Sequence, residues 1–303
     1  MENSKTWLEV TLSGSSTREL QANIPLTNNE IIEEGLRCAR EGAGIINVTA
    51  FDEKTGGVSN DPDNYSKIIE GIRTKVDAIV YPHALAFKAN TPALKGNPSG
   101  NIELTEKLCQ RGHLEWISVN PGSTNIAHYD ELRTDTVGVT RINLESDVRT
   151  ALKLAKAQKL HPTFEIFGPG SIRMGASLNW REDSPVAVYR LVFSSGFALG
   201  FPPEDYGLTA YLNLLDQVAP GAPWMISGMD AEVSAMIPRA VLEGGHVRVG
   251  LGDAPFGSEF SNLEMVTNCR REIENSGGTV GSGEDIRNAL GGIRKNPELM
   301  QHI

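Results

Sequence analysis

Short apolar runs rich in Val, Ile, Leu and aromatic residues alternate along the chain with longer segments whose apolar positions recur at helical spacing. Residues 8–12, 44–50, 78–81, 116–119, 163–167, 190–193, 224–227 and 247–251 read as strands. Between them, helical periodicity covers 31–40, 64–75, 145–158, 209–217, 231–243 and 262–275. The first helix announces its start: Thr27-Asn28-Asn29-Glu30 is a capping box, in which the threonine oxygen and the glutamate carboxylate satisfy free N–H groups of the first turn. Strands that alternate with helices predict an α/β protein with a parallel sheet, and eight such units predict closure into a single (β/α)₈ TIM barrel over residues 1–303, with a C-terminal helical tail. The alternative is a doubly wound open sheet. That fold carries G-x-G-x-x-G after its first strand, where this chain reads Ser13-Gly14-Ser15-Ser16-Thr17. Residues 87–101, and 181–184 together with 201–206, read as long loops suited to the rim of a pocket.

Composition narrows the function classes. With 28 Lys+Arg against 38 Asp+Glu, the net charge of −10 and the lack of a basic run argue against a nucleic-acid partner. No apolar stretch approaches a membrane span, and the first residues lack the apolar run of a signal peptide, so a cytoplasmic location is expected. Cys38, Cys109 and Cys269 are far apart, without a C-x-x-C pair, and read as reduced packed thiols rather than a disulfide or zinc framework.

In a barrel the chemistry gathers where the strands end, at the C-terminal mouth. Alternation turns Asn47 and Thr49 inward while Ile46, Val48 and Ala50 face the helices. The same parity places Arg248 inside with Gly250, and Thr163, Glu165 and Phe167 form another inward set. Asp253 follows the last strand and His83 ends the third. An arginine inside a barrel needs a partner, for which Asp253 and Glu165 are the candidates, and its guanidinium suits carboxylate or enolate oxygens. The turn Asn120-Pro121-Gly122-Ser123-Thr124-Asn125 offers hydroxyl and amide donors through Ser123 and Asn125. The remaining histidines show no spacing typical of metal ligands.

Several segments, in order, resemble the β-keto acid cleavage enzymes, a family of (β/α)₈ proteins once catalogued as a domain of unknown function. They are Ile24-Pro25-Leu26-Thr27, Glu41-Gly42-Ala43-Gly44-Ile45-Ile46, Asn120-Pro121-Gly122-Ser123-Thr124-Asn125, Phe164-Glu165-Ile166-Phe167, Ala222-Pro223-Trp224 and Gly244-Gly245-His246-Val247-Arg248-Val249-Gly250-Leu251. The resemblance implies a retro-Claisen exchange, in which a β-keto acid and acetyl-coenzyme A give acetoacetate and a new acyl-coenzyme A. It also implies a homo-oligomer.

The family's zinc is held by an H-x-H on the second strand and a glutamate after the eighth. By this resemblance those positions are Asn47, Thr49 and Gly252, none of which suits the ion. The family's catalytic arginine and aspartate match Arg248 and Asp253, its hydroxyl residue after the fourth strand matches Ser123, its serine ending the third strand falls at His83, and its acidic residue after the first strand at Ser16.

The expectation is thus a C–C bond-cleaving enzyme without the family metal. Arg248, protonated His83 and Asn47 polarise the ketone, Asp253 is the base, and Asn47, Thr49, Ser123, Asn125 and Glu165 line the substrate site. A variant of this reading recruits His83, Asp253 and Glu165 as replacement metal ligands. The cofactor is left unknown, with acetyl-coenzyme A as a possible co-substrate. The partners expected are a small carboxylate or β-keto acid and a coenzyme A thioester, with no nucleic acid and no membrane. Two other classes fit the same residues: a non-catalytic barrel that binds a small acid, and a different lyase or isomerase on the same scaffold.

Overall fold

The computed structural model describes residues 5–14, 16–83, 93–95 and 102–293. Its strands are β1 (Leu8–Thr11), β2 (Ile45–Val48), β3 (Ile79–Pro82), β4 (Ala93–Lys95), β5 (Trp116–Val119), β6 (Thr124–Ile126), β7 (Val139–Ile142), β8 (His161–Ile166), β9 (Val188–Phe193), β10 (Trp224–Gly228) and β11 (His246–Val249). The helices are α1 (Asn28–Glu41), α2 (Pro62–Arg73), α3 (Ile102–Gln110), α4 (Tyr129–Leu132), α5 (Glu145–Gln158), α6 (Pro169–Arg181), α7 (Asp205–Val218), α8 (Ile237–Leu242), α9 (Asn262–Asn275) and α10 (Gly283–Gly292).

Eight parallel strands follow the order β3-β2-β1-β11-β10-β9-β8-β5. The two ends of this sheet meet where the Ser118 hydroxyl donates to the Pro82 carbonyl at 3.4 Å, so the sheet is a nearly closed (β/α)₈ barrel. All eight strands read from the sequence are present. The capping box at Thr27 and Glu30 forms as expected. The sequence reading missed α3, α4 and α6, and it missed a second sheet, β4-β7-β6, beside the mouth. Its strands are only three or four residues long, too short to impose a readable alternation. Of the expected rim loop 87–101, only the backbone of β4 lies within the described residues.

Alternation sorts the side chains into two cores. Leu8, Val10, Ile46, Val48, Ile117, Val119, Phe164 and Val247 point outward and pack under the helices. Trp7, Ile45, Ile79, Trp116, Val188 and Met225, at the first turns of their strands, fill the bottom of the barrel. Ile286 and Leu290 of α10 pack against this plug, so the C-terminal helix closes the bottom and the mouth lies at the other end. His246 belongs to the bottom layer. Its ring stacks on Trp7 with centroids 3.8 Å apart, and its Nδ1 accepts the Trp7 backbone N–H at 3.1 Å.

Burial lowers the His246 pKa from 6.5 to about 3. It also lowers that of His83 to about 3, where neighbouring arginines outnumber the single raising carboxylate, Glu165. Both rings are therefore neutral in the folded chain, whereas the unfolded chain takes up protons on them below pH 6.5. Stability from these groups is full above that pH and drains as pH falls toward 3. We expect the unfolding free energy in urea to fall by about 2–3 kcal/mol per pH unit between pH 6 and pH 5, close to two protons' worth. A flat profile over that interval would show the rings to be solvated.

Candidate active site

Above the plug, the barrel interior turns from hydrocarbon to charge. Glu9 on β1, Arg190 on β9 and Arg248 on β11 point inward between outward-facing Leu8, Val10, Leu191 and Val247, and each is essentially inaccessible to solvent. Arg248 donates from Nε to Asp253 Oδ2 at 2.8 Å, from Nη2 to Asp253 Oδ1 at 2.9 Å, and from Nη1 to Glu9 Oε1 at 3.0 Å. This fork is the pairing a guanidinium makes best. Tyr81 also donates to Glu9 Oε1, at 2.7 Å. Arg190 donates to Glu165 Oε1 at 3.0 Å, to Thr163 Oγ1 at 2.9 Å and to the Tyr81 hydroxyl. Arg141, from β7 of the side sheet, approaches the other Glu165 oxygen at 3.6 Å. Three guanidinium groups thus face three carboxylates in one low-dielectric volume, and neutrality makes their burial tolerable.

The charge states follow from this arrangement. Burial raises the Asp253 pKa above the usual aspartate value, although Arg248 pulls it back, so the carboxylate is more basic than a surface one. Burial works against charged Glu165 too, but Arg141 and Arg190 outweigh it and hold that carboxyl below the usual range. Burial also opposes the charge on Arg248, which Asp253 and Glu9 restore and reinforce.

His83, just past β3, is joined to Asn47 by a 2.8 Å contact between ring Nδ1 and amide Oδ1. The Asn47 amide is oriented by its other bonds. Its Nδ2 donates to the Tyr81 carbonyl at 3.5 Å, and its Oδ1 accepts from Thr11 Oγ1 at 3.3 Å. An acceptor oxygen facing Nδ1 requires the proton there, so the neutral ring carries its lone pair on Nε2. This differs from one expectation: burial favours an uncharged His83 ring, with Nε2 as an acceptor, over a protonated donor.

The structure gathers Arg248, Asp253, His83, Asn47 and Glu165 around one mouth. It assigns Glu165 differently from expectation: Arg190 and Arg141 hold it, and the second partner of Arg248 is Glu9. Thr49 is inward, with its hydroxyl donating to the Gly14 carbonyl at 2.7 Å. Ser16 is buried in the loop after β1. Ser123 and Asn125 lie on the side sheet. Ser123 bridges the Asn143 backbone and Asn125 accepts from Thr140 at 2.9 Å, contacts that hold β6 to β7. The sequence reading missed Glu9, Tyr81, Arg190 and Arg141. The first was detectable, because Leu8-Glu9-Val10-Thr11-Leu12 alternates as β2 does. Arg190 was hidden by starting its strand two residues late, and nothing local marks Arg141.

Residues at the family's metal positions do not fit a metal. The Asn47 oxygen already accepts two hydrogen bonds and Thr49 is turned to a backbone carbonyl. A side-chain carbon at Gly252 would lie 2.6 Å from the Gly14 nitrogen and 2.7 Å from Thr11 Oγ1, so the loops after β1 and β11 occupy the space a third ligand needs. The replacement trio of His83, Asp253 and Glu165 is not assembled either. Among the described residues no three His, Cys, Asp or Glu side chains gather to hold a metal, because Asp253 and Glu165 are each turned to arginines.

A cavity of about 470 Å³ borders Arg248, Gly250 and Asp253 and runs out between α8 and α9, along Val233, Ile237 and Met265. A barrel with ionised groups converging at its C-terminal mouth beside a cavity defines a TIM-barrel protein with an enzyme-like site. The sequence profile of the β-keto acid cleavage enzymes matches residues 5–291, and the chain belongs to that family. It is 23% identical to a 3-keto-5-aminohexanoate cleavage enzyme of Fusobacterium nucleatum, over 90% of this chain and 93% of that one. It is 22% identical to a 3-dehydrocarnitine:acetyl-CoA trimethylamine transferase of Rhizobium meliloti, over 95% and 97%. Among solved structures, the binary complex of ObcA with oxaloacetate superposes with a TM-score of 0.64 at 14% identity, covering 89% of this chain and 67% of that one. That likeness supports the barrel fold. Among the described residues no helix is long and apolar enough to cross a membrane.

Proposed function

We propose that this protein cleaves a β-keto acid by acyl exchange with acetyl-coenzyme A. The observation that carries the reading is the Arg248–Asp253 fork at the barrel mouth, in a chain whose family profile spans both residues. Arg248 has two N–H groups beyond the three hydrogen bonds described, and these hold the substrate carboxylate or the enolate oxygen. Asp253 takes a proton from the carbon between ketone and carboxylate, and the C–H electron pair moves onto the ketone oxygen as an enolate. The enolate carbon attacks the thioester carbonyl and releases coenzyme A as thiolate. The thiolate adds to the original ketone carbon, the older C–C bond breaks, and Asp253 returns its proton to the departing carbon. The products are acetoacetate and the acyl-coenzyme A of the original chain, so atoms and charge balance. Relatives named for activities on 3-keto, 3-dehydro and 3-oxo acids, two of them with acetyl-CoA in their names, support this class.

The test is a panel of β-keto acids incubated with acetyl-coenzyme A, with products followed by mass spectrometry in the presence and absence of chelator. We expect acyl-coenzyme A and acetoacetate in equal amounts, at a rate the chelator leaves unchanged because Asn47, Thr49 and Gly252 do not suit a metal. Absence of exchange across the panel would overturn the activity. Loss of exchange on chelation would overturn only its independence from metal.

A further inference from the structure

Asn120 follows β5 at the mouth of the barrel. Ile117 and Val119 pack outward while Trp116 faces the inner plug and Ser118 reaches Pro82, so Asn120 falls on the inward face. It is 0% exposed, yet among the described residues neither its Nδ2 nor its Oδ1 has a hydrogen-bond partner. Val119 pairs with Phe164, which places Asn120 beside Glu165 across the β5–β8 seam. The Glu165 Oε2 atom is also buried and, among the described residues, without a hydrogen bond. On the other side of Asn120 is β3, whose end carries His83. One arc of the mouth therefore holds an uncharged imidazole with its lone pair on Nε2, an amide with unused donors, and a carboxylate oxygen with unused acceptor capacity.

Burying an amide with neither group paired is costly, and such a group calls for a partner from outside the chain, such as a water, an ion or a ligand. We propose that Asn120 is a substrate-contacting residue whose Nδ2–H donates to the ketone oxygen of a β-keto acid. This assignment rests on the cleavage reading for its ligand class. Where the donors at the mouth do not suit a metal, the amide supplies the positive end of a dipole to the oxygen as it becomes an enolate, aimed before the reaction begins. The neutral His83 ring beside it adds no competing positive charge, and the Glu165 oxygen repels an approaching carboxylate, which orients the substrate with its acid end toward Arg248.

The experiment pairs Asn120→Ala with Asn120→Leu, the second with the same number of side-chain heavy atoms and the same branching as asparagine but without hydrogen-bonding atoms. Acetoacetate binding is measured by calorimetry, exchange turnover by the mass-spectrometric assay, and unfolding temperature without ligand. We expect acetoacetate affinity to fall at least about tenfold and kcat/KM about 10²–10³-fold in both variants, while the unfolding temperature stays level or rises, because the unpaired amide is gone. A merely structural asparagine gives the reverse: lower unfolding temperature with affinity and turnover per folded molecule intact, which overturns the proposal. If the wild type binds acetoacetate but catalyses no exchange, the cleavage reading fails while loss of binding in the variants still upholds Asn120 as a ligand contact. If the wild type binds no β-keto acid, both fall.

Discussion

Asp253→Asn is expected to reduce exchange by about 10²–10⁴-fold in kcat with a much smaller change in KM, because the amide keeps the shape of the carboxylate but cannot accept the α-proton. The chain should still fold, since Arg248 retains Glu9 as an ionised partner at 3.0 Å. Arg248→Lys tests the other half of the fork. A lysine carries the charge but cannot span both Asp253 oxygens, which the guanidinium reaches at 2.8 and 2.9 Å. Weakened substrate binding and reduced turnover should appear together, with KM raised and kcat lowered. Steady-state kinetics on the best β-keto acid of the panel decide the matter. An Asp253→Asn enzyme with more than half of wild-type turnover would remove Asp253 from the proton step, and the neutral His83 Nε2 would be the remaining candidate base near the mouth.

The second large effect is on stability. Arg190 joins Glu165, Thr163 and Tyr81 inside the barrel, and Arg190→Met removes the cation while filling the space with hydrocarbon. Glu165 is then left buried with Arg141, at 3.6 Å, as its ion-pair partner among the described residues, and the folded chain should lose about 3–5 kcal/mol. Adding Glu165→Gln to that background should cost less than the same change in the wild type, because the carboxylate it removes has already lost its main partner. The coupling read from urea unfolding of the four proteins should be about 1–3 kcal/mol. Strict additivity would mean that water reaches Glu165 and screens it, contrary to the burial of both residues.

These predictions draw on residues that the sequence revealed to different degrees. Period-two alternation is a local property, so Asn47, Thr49 and Arg248 could be placed inside the barrel from their outward neighbours alone. The same rule would have found Glu9 and Arg190, whose strands alternate equally well. Asp253 and His83 were legible because they follow apolar runs at the end of the chain segment that faces the mouth. What holds Ser123 and Asn125 was not legible locally: Asn143 and Thr140, 20 and 15 positions away, fix their turn in the side sheet.

The chain's own order of apolar and polar residues determined the barrel and the face each strand turns inward. Only the tertiary structure decided which charge meets which: Arg248 takes Glu9 and Asp253, Arg190 takes Glu165, and Arg141 arrives from a sheet the pattern did not show. It also decided that His83 is neutral and that position 252 has no room for a side chain. The reason is physical. Inward direction is fixed residue by residue through the pleat, whereas pairing, desolvation and free volume depend on how strands distant in sequence are staggered around a closed barrel.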